Sequence, residues 1–334
     1  MATIDIIIPT YNGAKCIEET IKSILSQSYK DFRIIICDDA SKDETLKKIK
    51  KIEDKRIFIV KNKNNIGYSK NLERARIHAT AKYIYLMGQD DIMAVSTLKN
   101  TINAFKNSKD IGAVTRPYYW FDKNIKIPVR AKNQLNPRKD VIVKITDNPK
   151  KVIRVFETLD QLSGLAYRRE FIDTPFHQDI FPCHIYPFVS IFKKHPIVFL
   201  KDFNIAVRIS SSQTRSLSSI YEKSPLLSWV EMVKNIFFEK KYLSIQKYLI
   251  KDFITKNYVG LVQIRNYAKY KYLIREIWYL LKFNSKNIFN PKFWFFSIGC
   301  LITPAFILIP MVDLYKNKIY SKLIKNINFD FKLK

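Results

Sequence analysis

Two hydrophobic periods alternate through the first hundred residues. The runs Ile4-Asp5-Ile6-Ile7-Ile8 and Phe32-Arg33-Ile34-Ile35-Ile36-Cys37 are short and rich in β-branched residues, as expected of strands buried on both faces. Between them Ile17, Ile21, Ile24 and Leu25 recur at helical spacing, and Glu18 and Glu19 fall in the first turn, where the helix dipole favours acid. The alternation continues with a helix over 43–51, a strand at 57–60, a helix over 69–79 and a strand at 83–87. Such β-α-β repeats predict an α/β fold, a mostly parallel sheet flanked by helices.

From residue 114 to 215 the pattern is less regular, with strand-like runs at 141–143 and 197–200, and reads as mixed α/β. Beyond 219 it changes to aromatic-rich helical stretches at 226–238, 242–254 and 272–281. A domain over 1–215, in halves 1–110 and 111–215, followed by a helical region over 216–334, is the division expected. Residues 293–312 carry no charge, a run long enough to span a bilayer, but Pro304 and Pro310 interrupt it. Lys292 precedes it and Lys316, Lys318, Lys322 and Lys325 follow, so a single span would export a basic cluster against the positive-inside tendency. An interfacial or re-entrant element is the favoured reading. A true span and an ordinary core helix remain open.

Composition adds a partner class. Hydrophobic residues make up 47% of the 334, which suits a packed protein rather than a disordered one. The net charge of +28 is unevenly placed: 20 Lys and Arg face 14 Asp and Glu over residues 1–110, against 38 and 16 over the remainder. Part of the lysine content is also what a biased genome produces; the rest attracts nucleic acid, anionic lipid or phosphate-bearing substrates. Cys16, Cys37, Cys183 and Cys300 are too scattered for a zinc knuckle or a disulfide framework, and fit a reducing compartment. No signal-peptide pattern follows Met1, so the cytoplasm is expected for the first domain.

In open α/β sheets ligands bind beyond the carboxyl ends of the strands. Those ends carry Pro9-Thr10-Tyr11-Asn12-Gly13, Asp38-Asp39-Ala40-Ser41 and Gly88-Gln89-Asp90-Asp91. Adjacent carboxylates repel unless a cation or donor groups neutralise them, and oxygen ligands of this kind suit Mg²⁺ or Mn²⁺ with phosphate oxygens completing the shell. Either pair alone also suits a helix start. As an ensemble they point to a nucleotide-sugar site, with Tyr11 stacking on a base, Asp39 accepting from its imide N–H, and Asp91 holding a metal on the diphosphate. No G-x-x-x-x-G-K-[ST] phosphate loop, G-x-S-x-G elbow or H-E-x-x-H helix occurs.

Residues 4–98 resemble the N-terminal half of family 2 glycosyltransferases with the GT-A fold. The resemblance rests on Ile6-Ile7-Ile8-Pro9-Thr10-Tyr11-Asn12, Ser23-Ile24-Leu25-Ser26-Gln27-Ser28-Tyr29, Asp38-Asp39-Ala40-Ser41, Asn65-Ile66-Gly67-Tyr68-Ser69-Lys70-Asn71 and Gln89-Asp90-Asp91, in that order. It implies an inverting transfer from a nucleotide-diphosphate sugar, UDP by default. In that picture Pro9, Tyr11 and Asp39 contact base and ribose, Asp90 the ribose or sugar, and Asp91 the divalent metal. Lys70 and Asn71 add donors to the phosphates or sugar, or Lys70 lies on a solvated helix face.

An inverting transferase needs a general base for the acceptor hydroxyl. In the register set by Ile197-Val198-Phe199-Leu200, the family's usual E-D pair falls on Cys183-His184, so the expected carboxylate is missing. The acceptor loop of the resemblance falls on Ser163-Gly164-Leu165-Ala166-Tyr167-Arg168, and the base is His184, because an imidazole titrates near neutrality, or Asp179, or neither of them. The resemblance further implies a glycan or lipid-linked acceptor in surface-polysaccharide synthesis, work at the cytoplasmic face of a membrane, and contact with anionic lipid. Nucleic acid is not expected, because paired carboxylates in the cleft repel a polyanion. A catalytically inactive membrane scaffold on the same fold stays open because of the missing E-D pair.

Overall fold

The computed structural model describes residues 2–210, 218–315, 324 and 327–333. It divides into two compact units, residues 1–209 with 324–334, and residues 210–323. The division falls six residues before the expected boundary at 215, and it returns the last segment, expected in the helical region, to the first unit.

The first unit opens with β1 (Ile4–Thr10), α1 (Ile17–Leu25), β2 (Phe32–Asp38), α2 (Thr45–Lys50), β3 (Ile57–Lys61), α3 (Tyr68–Ile77) and β4 (Tyr83–Leu86). Every residue of β1 is buried, which is why its isoleucines show no polar alternation: helices cover both faces of a parallel sheet. Next come β5 (Ile92–Met93), α4 (Thr97–Lys106), β6 (Ala113–Thr115), β7 (Tyr118–Phe121), β8 (Pro128–Lys132) and β9 (Val141–Val143). The unit continues with α5 (Pro149–Phe156), β10 (Ala166–Arg168), α6 (Ile185–Lys194), β11 (Ile197–Phe199) and β12 (Ile205–Arg208).

The main sheet runs β3-β2-β1-β4-β10-β6-β11-β9. β1 pairs parallel with β2 and β4, so the chain leaves these neighbours in opposite lateral directions and opens a crevice at their carboxyl ends. β10 enters antiparallel between β4 and β6, and β9 is antiparallel to β11. A second sheet runs β5-β12-β7-β8. Its outer face is a small cluster of Ile92, Tyr119, Phe121, Phe203 and Ala206, on which Ile327, Phe329 and Phe331 pack. Val95 N–H donates to Asp330 O at 2.8 Å, fixing that returning segment.

At the far end of β1 from the crevice, Asp5 is fully buried and saturated. It accepts from Arg33 Nε at 2.8 Å, Arg33 Nη2 at 2.7 Å, Thr80 N at 2.7 Å and Ala81 N at 2.9 Å. A buried carboxylate is tolerable only when so paired.

The second unit contains α7 (Pro225–Ile236), α8 (Leu243–Lys256), α9 (Gly260–Tyr267), α10 (Tyr270–Phe283), α11 (Pro291–Ile302) and α12 (Ala305–Leu314). The uncharged run 293–312 is two helices, broken where Pro304 caps α12. Among the described residues no helix is long and apolar enough to cross a membrane. Trp294, Phe295, Ile298, Ile302, Phe306 and Met311 stand exposed on this pair. Lys316, Lys318, Lys322 and Lys325, expected as a basic flank, lie outside the described residues.

Candidate functional site

The loops after β1 and β2 are stitched together by side chains. Asn12 N–H donates to Ser41 Oγ at 2.9 Å, Lys42 N–H to Asn12 Oδ1 at 2.9 Å, and Gly13 N–H to Thr45 Oγ1 at 2.8 Å. Asn12 and Ala40 both adopt left-handed backbone, φ 48° and 59°. For Ala40 that conformation costs about 1 kcal/mol; it is held by Asp39 N–H donating to Thr10 O at 2.8 Å and Ser41 N–H to Asp38 Oδ2 at 3.1 Å. The β4 loop joins through Gln89, whose Oε1 accepts from Tyr11 N at 3.0 Å and whose Nε2 donates to Tyr11 O at 3.1 Å. A Cβ at Gly13 would fall 2.4 Å from Gln89 Oε1, so any larger residue there has to displace this amide.

Asp39 is buried, and its carboxylate braces the loop leading into α3. Oδ1 accepts from Asn62 Nδ2 and Ile66 N, both at 2.8 Å, and Oδ2 from Gly67 N at 2.9 Å. Oδ2 thus accepts one hydrogen bond where Oδ1 accepts two. Asn71 is consumed in the same brace, donating to Cys37 O at 2.7 Å and accepting from Asn62. Pro9 is buried within β1 beside Cys37, Tyr11 is partly exposed at the rim, and Lys70 lies on the exposed side of α3.

The acid pair sits over Gly88. A Cβ built on that glycine would lie 3.1 Å from each of Asp90 Oδ1, Asp91 Oδ2 and Ser163 Oγ, so three oxygens surround one small space. Asp91 is only 2% exposed. Its Oδ2 accepts from Ser163 Oγ at 2.5 Å and Gln161 Nε2 at 3.2 Å, and its Oδ1 from Arg208 N at 3.0 Å. Burial first, and the neighbouring Asp90 second, push its carboxyl up to about 8. A divalent ion fits this arrangement. Among the described residues no cluster of three or more His, Cys, Asp or Glu side chains can cage a metal, and an Mg²⁺-like ion held by one or two carboxylates and substrate phosphates needs none.

Arg208, at the end of β12, faces the same acids. Its Nε donates to Asp90 O at 3.1 Å, its guanidinium pairs with Glu19 and it stacks over Phe121 at 4.7 Å. A second arginine builds the wall opposite. Arg116 is fully buried and donates to Thr158 O at 3.0 Å, Gln161 O at 2.8 Å and Ser163 O. That grip fixes the 158–163 loop, which delivers Gln161 and Ser163 to Asp91. Gly164 closes it at φ 95°, and a Cβ there would meet Arg116 Nε at 2.4 Å.

The two base candidates are placed differently. His184 precedes α6, is 6% exposed, and shares a 2.9 Å hydrogen bond between its Nε2 and Leu159 O, while Nδ1 is buried without a partner. Burial chiefly, with Arg116 adding to it, lowers its pKa to about 4. The ring is therefore neutral at pH 7. Asp179 is engaged in its own turn: its N–H donates to His177 Nδ1 at 3.0 Å, and its Oδ1 accepts from Phe181 N at 3.3 Å.

The loops that follow β1, β2 and β4 place Tyr11, Asp39, Asp90 and Asp91 along one crevice. Gln161, Arg208 and Arg116 had no signal in the sequence, because each acts through a contact across the fold rather than through a local motif, and Glu19 showed only as a first-turn acid of α1.

The chain matches the family model described as glycosyl transferase family 2 over residues 5–159. It is 38% identical over 109 residues to the Escherichia coli UDP-Glc:alpha-D-GlcNAc-diphosphoundecaprenol beta-1,3-glucosyltransferase WfaP. That match covers 33% of this chain and 43% of the relative, so it spans less than half of the relative's length. In fold, the chain is similar to S. aureus TarS 1-349 in complex with UDP-GlcNAc, with a TM-score of 0.65 and 15% identity over 99% of this chain and 97% of that one. It is also similar to the mannosyltransferase PcManGT from Pyrobaculum calidifontis, solved in complex with GDP-Man and Mn²⁺, with a TM-score of 0.54 and 16% identity over 90% and 86% of the two chains.

Proposed function

Since residues 5–159 match the family model described as glycosyl transferase family 2, we propose that the chain is an inverting transferase of that family, moving a sugar from a nucleotide-diphosphate donor to a lipid-linked glycan in surface-polysaccharide synthesis. The observation that carries this reading is the convergence of Asp90 Oδ1, Asp91 Oδ2 and Ser163 Oγ over Gly88, at the crevice whose rim Tyr11 and Asp39 line. UDP is the proposed nucleotide, in keeping with the donor in the name of the E. coli relative.

In this reading Tyr11 stacks on the base and the remaining lone pair of Asp39 accepts from it. Asp90 contacts the ribose or sugar, and Lys70 stands at the α3 side of the phosphates. Asp91 holds Mn²⁺ or Mg²⁺, which when bound offsets the charge gathering on the leaving diphosphate. The buried contacts of Asp91 to Ser163, Gln161 and Arg208 orient its carboxylate before the donor arrives, so little reorganisation is left for the reaction itself.

The proposed acceptor is membrane-held, and the exposed apolar residues of α11 and α12 supply an interfacial anchor at the cytoplasmic leaflet, with lysines attracting anionic lipid. The test of function is transfer from a panel of UDP-, dTDP- and GDP-sugars, with Mn²⁺, to undecaprenyl-diphosphate-linked GlcNAc, followed by mass spectrometry. A product heavier by one sugar is expected. Absence of product with every donor and acceptor in the panel overturns the reading.

A further inference from the structure

We propose that Asp160 is the base that takes the proton from the acceptor hydroxyl. The inference rests on the transferase reading, which requires a base and whose usual carboxylate position is occupied by His184.

The other acids at the site have work of their own. Asp38 and Asp39 are buried and hold their loops, Asp90 and Asp91 face the donor and its metal, and Glu19 is paired with Arg208. Asp160 is also paired, but its side chain is 48% exposed, more than the 38% of Glu19. It lies in the loop gripped by buried Arg116, one residue before Gln161, whose amide reaches Asp91 Oδ2 at 3.2 Å. Its own carboxylate is fixed from two sides, Oδ1 accepting from Tyr118 OH and Oδ2 lying 3.6 Å from Lys132 Nζ. Burial, with Asp160 beside it, keeps the Tyr118 hydroxyl protonated and hence a donor. The group is both held in place and half open to solvent.

His184 explains how the role moved. Its Nε2 bonds the Leu159 carbonyl, the residue before Asp160, so the side chain at the expected base position is a strut under the loop that bears the carboxylate. The two are near enough for Asp160 to favour the imidazolium form, against the burial that disfavours it. An aspartate at 184 would meet a second carboxylate there; a neutral imidazole does not.

The step balances as follows. The acceptor O–H gives its proton to an Asp160 oxygen while that acceptor oxygen forms a bond to the sugar's C1. The bond from C1 to the diphosphate oxygen breaks, its electron pair leaving with the nucleotide diphosphate. Asp160 then returns the proton to water through its exposed edge.

The experiment compares wild type, Asp160→Asn and Asp160→Gly on the donor and acceptor that the wild type turns over, with calorimetric titration of UDP and Mn²⁺ alongside. Expected for Asp160→Asn is a loss of kcat of about 100-fold or more, within the usual range for a general base, with UDP–Mn²⁺ affinity within twofold of wild type. Azide or formate, small enough to enter the space left in Asp160→Gly, restores at least tenfold of its lost rate. A kcat for Asp160→Asn within threefold of wild type overturns the inference, as does a parallel loss of UDP–Mn²⁺ binding, which would mark Asp160 as a support of Asp91 alone. A wild-type protein that transfers nothing is instead the failure of the transferase reading.

Discussion

Gln89 grips the backbone of Tyr11 as a neighbouring strand would, accepting its N–H and donating to its carbonyl with one side-chain amide. The β1 and β4 loops thereby move as one piece. Gln89→Ala leaves both backbone groups unpaired and is expected to lower stability by about 1–2 kcal/mol and UDP affinity by about tenfold, the change expected from roughly 1.4 kcal/mol. Gly13→Ala, which drives a methyl into Gln89 Oε1, is expected to lower affinity likewise. Unchanged affinity by calorimetry in both variants would separate this grip from donor binding.

Burial, and Asp90 beside it, push the carboxyl of Asp91 up to about 8 from an ordinary 3.8, so it gives up its proton less readily than a free carboxyl. A folded pKa above the unfolded one means that the stability this group adds is present at low pH and lost as pH rises through 8. A metal held by Asp91, as proposed, competes with that proton. Mn²⁺ binding at pH 7 is expected to release protons, seen as a heat that depends on the buffer's ionisation enthalpy, and to strengthen as pH rises toward 8. Asp91→Asn should abolish metal-dependent donor binding; binding equally tight in that variant removes Asp91 from the metal site.

His184 titrates in the opposite sense. Its folded pKa of about 4 lies below the ordinary 6.5, so the unfolded chain takes up the proton first and stability falls as pH drops from 6.5 toward 4. The shift is worth roughly 3 kcal/mol at 1.36 kcal/mol per unit. Urea melts of wild type and His184→Gln at pH 7 and pH 4.5 should show the variant losing less on acidification. An equal loss in both would place the acid sensitivity elsewhere.

Asp5→Ala tests the opposite end of β1. It strands Arg33 and two backbone N–H groups, and about 3–4 kcal/mol of stability should go with it. Calorimetry below the variant's melting temperature should find UDP affinity as in wild type, because the crevice lies at the other end of the strand; a large change in affinity would show that the two ends are coupled.

Phe295 and Phe306 are among the most exposed aromatic side chains described. The double change Phe295→Ser with Phe306→Ser is expected to cut sedimentation with vesicles containing phosphatidylglycerol at least fivefold, and the remainder should be salt-sensitive. Undiminished sedimentation would refute an anchor made by α11 and α12.

What was legible in the sequence was what is local. The isoleucine runs of β1 and β2 and the 17, 21, 24 spacing of α1 sit where their periods place them, because burial on a flat sheet or one helix face writes a repeat into neighbouring residues. The wall opposite Asp91 leaves no such trace. Ser163 and Arg208 lie 72 and 117 residues away along the chain, brought in by β10 running antiparallel to β4 and by β12 of a second sheet. Asp39 was legible as a site residue but not in its main work, since the motif cannot reveal that Asn62, Ile66 and Gly67 already occupy most of its carboxylate. His184 was legible as an oddity in register, yet only burial tells that its lone pair is sealed.

The segment that completes the first unit is made after the second unit. Ile327, Phe329 and Phe331 cover the small sheet, and the strand beneath them begins immediately after Asp91. On the ribosome these three side chains emerge only after the whole helical unit has been translated, so the nascent chain holds its acid pair on a sheet that still lacks its cover. Premature termination anywhere in the second unit therefore leaves an exposed aromatic cluster in the first, a ready target for chaperones and proteases, and only a chain translated through Phe331 can hide it.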